Sequence, residues 1–246
     1  MASIAIIGGT GLTSLEWLEI TGSEIIHTPY GEVSSTLVYG LISGTEVAFL
    51  PRHGSGHTIP PHKINYLANM WALKEAGVEY VIAVNAVGGI PQEWPPGSLV
   101  IPDQIIDYTW GRESTYCGIG DGPVVHIDFT RPYSDVLRDK LAVAAKQAGL
   151  SVETKATYGV TQGPRLESAA EVDRLEQDGC HIIGMTGMPE AALARELGLC
   201  YASIPVVANL AAGRGEDIIT MAEIERHIGE GMKKIRLLLE SAIPVL

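Results

Sequence analysis

Six times along this 246-residue chain a short apolar run stops at a turn of glycine and polar residues, and that recurrence constrains the fold more than any other feature. The run Ile4-Ala5-Ile6-Ile7 ends in Gly8-Gly9-Thr10-Gly11. Apolar runs likewise lead into Arg52-His53-Gly54, Asn85-Ala86-Val87-Gly88-Gly89, Gln162-Gly163-Pro164-Arg165, Met185-Thr186-Gly187 and Ala208-Asn209. Runs of this length predict buried strands, here over residues 4–7, 37–41, 47–50, 80–84, 99–105, 156–161, 182–185 and 201–207. Helical spacing fills several of the gaps. Over 64–76 the apolar residues Ile64, Leu67, Trp71 and Ala72 precede a stop at Gly77. Further helices are expected over 135–147, 169–177, 189–197 and 221–241. Strands alternating with helices predict one α/β domain over residues 1–246, a central twisted sheet flanked by helices, with ligands at the carboxyl ends of the strands. The six turns could then converge on one pocket.

No repeat, low-complexity run or Ser/Gly-rich linker divides the chain. Its 17 Lys plus Arg against 29 Asp plus Glu leave a formal charge of -12, the wrong sign for a nucleic acid or an anionic membrane surface. An anionic small molecule must therefore be held by a few aimed donors. Cys117, Cys180 and Cys200 are widely spaced, with no CxxC pair, and read as reduced core residues. The first apolar run is too short for a signal peptide and no long apolar stretch spans a bilayer, so a cytoplasmic protein is expected.

The turn Gly8-Gly9-Thr10-Gly11 frees consecutive backbone amides toward one point and adds a hydroxyl, which suits an oxyanion such as phosphate. It has neither full GxGxxG spacing nor a P-loop lysine, and the same residues also make an ordinary strand-to-loop turn. Arg52-His53 supplies a planar cationic fork and a switchable donor directly after a strand, against the plainer reading of a surface arginine and a capping histidine. His53, His57 and His62 invite a metal, but Gly54, Gly56, Pro60 and Pro61 forbid the helix that would align them, so no metal is expected. Glu167 and Asn209 together suit a 6-oxopurine, a carboxylate accepting from N1–H and an amide serving a carbonyl and a ring nitrogen. Glu167 equally suits a helix N-terminus and Asn209 a turn, and spacing alone does not separate these readings.

In order and spacing, 5-AIIGGTGL-12, Arg52-His53-Gly54 with His57, 61-PHKINY-66, Ala68-Asn69 and Trp71-Ala72-Leu73 resemble the trimeric purine nucleoside phosphorylases, and within them the methylthioadenosine phosphorylase branch. Thr161-Gln162-Gly163-Pro164-Arg165 and Gly184-Met185-Thr186 with Pro189-Glu190 extend the resemblance over nearly the whole chain. It implies a nucleoside phosphorylase-like fold with a mixed sheet, a homotrimer, inorganic phosphate as co-substrate and no cofactor. Phosphate is then expected at Thr10, Arg52, His53, Asn85, Ala86 and Thr186, where Asn85 replaces the family's Thr. Leu166, Glu167, Asn209 and Ala211 are expected at the base, Met185, His57, Met221 and Ile224 at the ribose and its 5′ substituent, and His126 reaching a neighbouring subunit's site. Asn209 and His53 are the residues expected to act on the reacting groups.

Adenine-preferring members resemble one another in an Asp-x-Asp pair where this chain has Asn209 and Ala211, and tend to carry Ser in place of Glu167. Glu and Asn match the 6-oxopurine phosphorylases instead. Met221 and Ile224 match the apolar 5′ pocket of the methylthio branch, so the combination implies S-methyl-5′-thioinosine as substrate. The alternatives are a phosphorylase for methylthioadenosine or for inosine and guanosine, a nucleoside-binding sensor without chemistry, and a dinucleotide-dependent oxidoreductase.

Overall fold

The computed structural model describes residues 2–9, 18–118, 124–215 and 221–246, with the side chains of Met221 and Glu223 excepted. Its described strands form one mixed sheet: β1 (Ile4–Gly8), β2 (Glu19–Glu24), β3 (Leu37–Ile42), β4 (Thr45–Pro51), β5 (Tyr80–Gly89), β6 (Leu99–Val100), β7 (Gln104–Asp107), β8 (Val152–Glu153), β9 (Thr157–Val160), β10 (Ile182–Gly184) and β11 (Cys200–Leu210). The main path runs β2-β3-β4-β1-β5-β10-β9-β7, and β11 pairs with both β5 and β6. The helices are α1 (Tyr66–Glu75), α2 (Asp135–Gln147), α3 (Ala169–Gln177), α4 (Glu190–Glu196) and α5 (Met221–Ala242).

Alternation along the strands divides the core between the two faces. Ala5, Ile7, Ala48, Leu50, Val81 and Ala83 pack with α1 and α4 through residues such as Leu67, Met70 and Leu193. Their neighbours Ile4, Ile6, Val47, Phe49, Ile82 and Val84 pack with α2 and α5 through Leu137, Leu141, Ile235 and Leu238. Both layers are dry enough that a single Leu→Ala change there costs about 2–5 kcal/mol. Local signals set the helix starts. Asn65 accepts from the Ala68 amide, Ser134 from Leu137, and Ser168 forms a reciprocal capping box with Glu171. Gly77, at φ 82°, ends α1.

Three strand expectations change. The run over 99–105 splits into β6 and β7, because Pro102 has no N–H for a ladder and the chain switches partners there, Ile101 bonding to Glu153 and Gln104 to Ala156. The segment Asn85–Gly89, expected as a turn, is the second half of β5, and Ala208-Asn209 lies inside β11. These two strands pair in parallel from Tyr80 and Cys200 to Gly89 and Leu210, which keeps both backbones extended through their glycine and polar residues. Strands β2 and β8 were not expected at all; β2 is a mostly exposed, polar edge strand with no apolar alternation.

Candidate active site

The sheet forks at the middle of β5. On one side β1 accompanies β5 only as far as Ile7 beside Ala83, and β10 joins antiparallel only at Gly88 and Gly89. Between them the edge of β5 from Val84 to Val87 is left open, a switch point of the kind where α/β sheets bind ligands. The Gly8-Gly9 turn enters the opening. A Cβ on Gly9 would stand 3.0 Å from the Val84 carbonyl oxygen and 3.2 Å from Arg52 Nη1, so any side chain there would have to press both aside by a few tenths of an ångström. Thr10 lies outside the described residues.

Arg52 follows β4 and is completely buried. Its Nη1 donates to the open Val84 carbonyl at 3.2 Å, while Nε and Nη2 donate to the two carboxylate oxygens of Glu190 at 2.6 and 2.8 Å. Burial works against the charge on Arg52, and the Glu190 carboxylate more than reverses that, holding its pKa above the ordinary value. Glu190 is itself 1% exposed and also accepts from the Tyr201 hydroxyl at 2.8 Å. Among the described residues three of the five guanidinium N–H groups are thus engaged, and one on each terminal nitrogen is not.

Beside Arg52, Asn85 and Thr186 are joined directly, Asn85 Nδ2 donating to Thr186 Oγ1 at 2.8 Å. Ser203 on β11 donates to Asn85 Oδ1 at 2.6 Å, which fixes the amide so that its NH2 faces Thr186. The Thr186 hydroxyl, having accepted, keeps its proton to donate. Ala86 is next along the open edge and packs with Ala208 and Ile224.

His53 is buried, its ring 4.4 Å from that of His57, which is exposed and sits at φ 52°. Its Nδ1 lies 2.8 Å from the Ile59 carbonyl, and since a carbonyl cannot donate, Nδ1 carries the proton. Burial first, and then the Arg52 charge, lower its pKa to about 4, so near neutrality the ring is uncharged and Nε2 is a bare acceptor. The one N–H of the neutral ring is thus occupied by the Ile59 carbonyl.

On the far side of the fork, β11 carries a bulge between Val207 and Asn209 that sets Asn209 opposite Gly88. The bulge carbonyl, that of Ala208, is bonded by His227 Nδ1 at 3.0 Å. Asn209 Nδ2 donates to the Leu210 carbonyl at 2.7 Å. Ala211 is buried among Ile90, Val172, Leu175 and Ile183, an apolar setting with no place for a carboxylate. Glu167 accepts from the Thr161 hydroxyl at 2.6 Å and lines a cavity of about 270 Å³ with Tyr108, Trp110 and Gln162. Leu166 is 45% exposed and His126 is exposed. Met185 crosses the Gly163 position so closely that a Cβ there would stand 2.4 Å from its sulfur. Ile224 is buried on α5, and the Met221 side chain lies outside the described residues. Two larger cavities, of about 500 and 450 Å³, open beside Tyr133 and beside His181, and neither is lined by a candidate residue.

Sequence reading missed Glu190, Ser203 and Tyr201 as parts of this network. Glu190 stood in the motif beginning at Gly184, and a buried acid after a proline at a helix start is a weak signal; nothing in the local sequence marks Ser203 or Tyr201.

An arginine, an amide and a hydroxyl are thus gathered at the open edge of a forked α/β sheet. The chain belongs to the phosphorylase superfamily, whose family model matches residues 3–244. It is 52% identical over 236 residues, 96% of either chain, to a protein of Pseudomonas syringae pv. tomato described as probable S-methyl-5′-thioinosine phosphorylase. It is 45% identical to the 6-oxopurine nucleoside phosphorylase of Pyrococcus furiosus, over 100% of this chain and 94% of that one. Among solved structures, methylthioadenosine phosphorylase from Schistosoma mansoni in complex with adenine superposes with a TM-score of 0.94 at 30% identity, covering 100% of this chain and 92% of that chain. Among the described residues no helix is long and apolar enough to cross a membrane.

Proposed function

We propose that this enzyme is an S-methyl-5′-thioinosine phosphorylase, splitting its substrate with inorganic phosphate into hypoxanthine and 5-methylthioribose 1-phosphate. It works without a cofactor, as a homotrimer in the cytoplasm, in purine salvage. The observation that carries the reading is Asn209, an amide rather than an acid, at the bulged end of β11 opposite Gly88. A carboxylate there would favour an exocyclic amine, whereas an amide serves a carbonyl and a ring nitrogen. Site discrimination of this kind reaches about 10⁴-fold, because the wrong base leaves a buried group unpaired. The name of the relative at 52% identity supports the same substrate.

As the glycosidic bond lengthens, the ribose becomes cationic and the purine gathers negative charge, so catalysis is chiefly stabilisation of both ends. Phosphate, held by the free N–H groups of Arg52, the Thr186 hydroxyl and the glycine turn, attacks C1′ and supports the cationic sugar. Neutral His53 accepts from the remaining O–H of hydrogenphosphate, which selects the orientation of the anion. Asn209 holds the departing base as water protonates its N7, and the proton that hydrogenphosphate gives up to solvent on becoming the sugar phosphate balances the step. For the 5′ substituent, the burial of Ile224 against Ala86 and Ala208 favours a methylthio group over a hydroxyl, by about 1–3 kcal/mol; this sets the proposal apart from the ordinary inosine and guanosine reading.

The test is release of free base from methylthioinosine, methylthioadenosine, inosine and adenosine, each with and without phosphate. Methylthioinosine is expected to be fastest and strictly phosphate-dependent. Release without phosphate would overturn phosphorolysis, and equal rates on oxo and amino purines would overturn the assignment of Asn209.

A further inference from the structure

Arg112 lies beyond β7, on none of the strands that carry the candidate residues, yet its side chain ties their loops together. Its Nε donates to Gln162 Oε1 at 3.1 Å, and Nη2 to the carbonyls of Gln162 at 2.9 Å and Thr161 at 3.3 Å. Its Nη1 reaches the carbonyls of Met188 at 2.6 Å and Met185 at 2.9 Å, with the Tyr66 hydroxyl at 3.3 Å. The guanidinium also stands over the Tyr66 ring, 5.5 Å from its centroid. Every one of these acceptors is a neutral oxygen, and they belong to three separate segments: the start of α1, the loop after β9 and the loop after β10. A planar cation with five fixed donors can serve these six oxygens with one Nη1 proton shared toward the Tyr66 hydroxyl, and a point-charge ammonium with three cannot.

Those two strand-end loops bear the nucleoside half of the site. The first leads to Glu167, the second begins at Met185, and Thr161 adds its own bonds to Glu167 and to the Gly184 carbonyl. Thr186, which the phosphate half uses, lies in that second loop beside Met185, while the other phosphate groups are held apart from Arg112, by Glu190 on Arg52 and by Ser203 on Asn85.

We propose that Arg112 is a positioning residue for base recognition: by clasping the carbonyls of Thr161, Gln162, Met185 and Met188 it fixes the distance between the Glu167 loop and the Met185 loop. This rests on the nucleoside reading given above. Misplacement of a recognition group by about 1 Å is enough to cost as much as 100-fold.

The test compares wild type, Arg112→Lys and Arg112→Ala, each assayed well below its own melting temperature. The readouts are KM for phosphate, KM for S-methyl-5′-thioinosine and the ratio of kcat/KM for that nucleoside over S-methyl-5′-thioadenosine. In Arg112→Ala the nucleoside KM is expected to rise and the base ratio to fall, each by about tenfold or more, with phosphate KM rising by clearly less, because Thr186 alone among its groups lies in the clasped loop. Arg112→Lys, which keeps the charge and loses the fork, is expected to fall between and serves alone if the alanine variant does not fold. A base ratio within about twofold of wild type in the lysine variant, or a phosphate KM that rises as far as the nucleoside KM, overturns the role. A wild-type enzyme indifferent to the two bases refutes the functional reading instead; Arg112 is then judged by the split between the nucleoside and phosphate KM values.

Discussion

Replacing Glu190 by alanine strips the buried Arg52 of two hydrogen bonds, at 2.6 and 2.8 Å, and deprives Tyr201 of its acceptor at 2.8 Å. Arg52 and Glu190 are 0% and 1% exposed, so bulk water solvates the stranded charge poorly. Removing one partner of a buried pair costs about 3–5 kcal/mol, because the survivor is an uncompensated charge. That is a large share of the roughly 5–15 kcal/mol by which domains are stable. At about 2–4 °C per kcal/mol for a chain of this size, the melting temperature should drop by roughly 6–20 °C. Inorganic phosphate, as a countercharge at the Arg52 N–H groups that no described residue occupies, should raise the melting temperature of Glu190→Ala more than that of wild type. Calorimetry of both proteins at matched concentration, with and without phosphate, measures both effects. The double change Arg52→Met with Glu190→Leu should be more stable than Glu190→Ala alone, since it removes the charge together with its partner. A loss below about 1 kcal/mol in Glu190→Ala, the size of an ordinary surface change, would refute the claim that this carboxylate holds Arg52.

Two further outcomes follow from the same geometry. His53 has a folded pKa of about 4 against an ordinary 6.5, so between these values the unfolded chain binds the extra proton; stability is fully present above pH 6.5 and declines as pH falls toward 4. Urea unfolding across that window should show a shallower pH slope for His53→Asn than for wild type, and parallel curves would count against a neutral buried ring. Asn209→Asp should move the kcat/KM ratio from 6-oxo toward 6-amino purine nucleosides by about tenfold or more, and an unchanged ratio refutes the role of the amide. The single change is the cleaner test, because adding Ala211→Asp would press a carboxylate into the apolar cluster of Ile90, Val172 and Ile183.

Much of this molecule is written in short-range signals. Helices α2 and α3 begin and end where spacing and their serine caps say, and the buried strands β1, β4 and β10 declare themselves as apolar runs, because periodicity and capping act within a few residues. The meeting of Arg52, Asn85 and Thr186 was legible in outline, since each follows or ends an apolar run. Pairing between distant segments is what local sequence cannot carry. The exposed strand β2 exists through β3, and the glycines that end β5 stay extended through β11. Likewise the Ile59 carbonyl occupies the His53 N–H, and Glu190, 138 residues from Arg52, occupies two of its five N–H groups. Residue types and order determined which groups could meet at the fork. Only the folded chain decided how many of their hydrogen bonds were left for a ligand, because a donor's remaining capacity depends on neighbours brought from elsewhere in the chain.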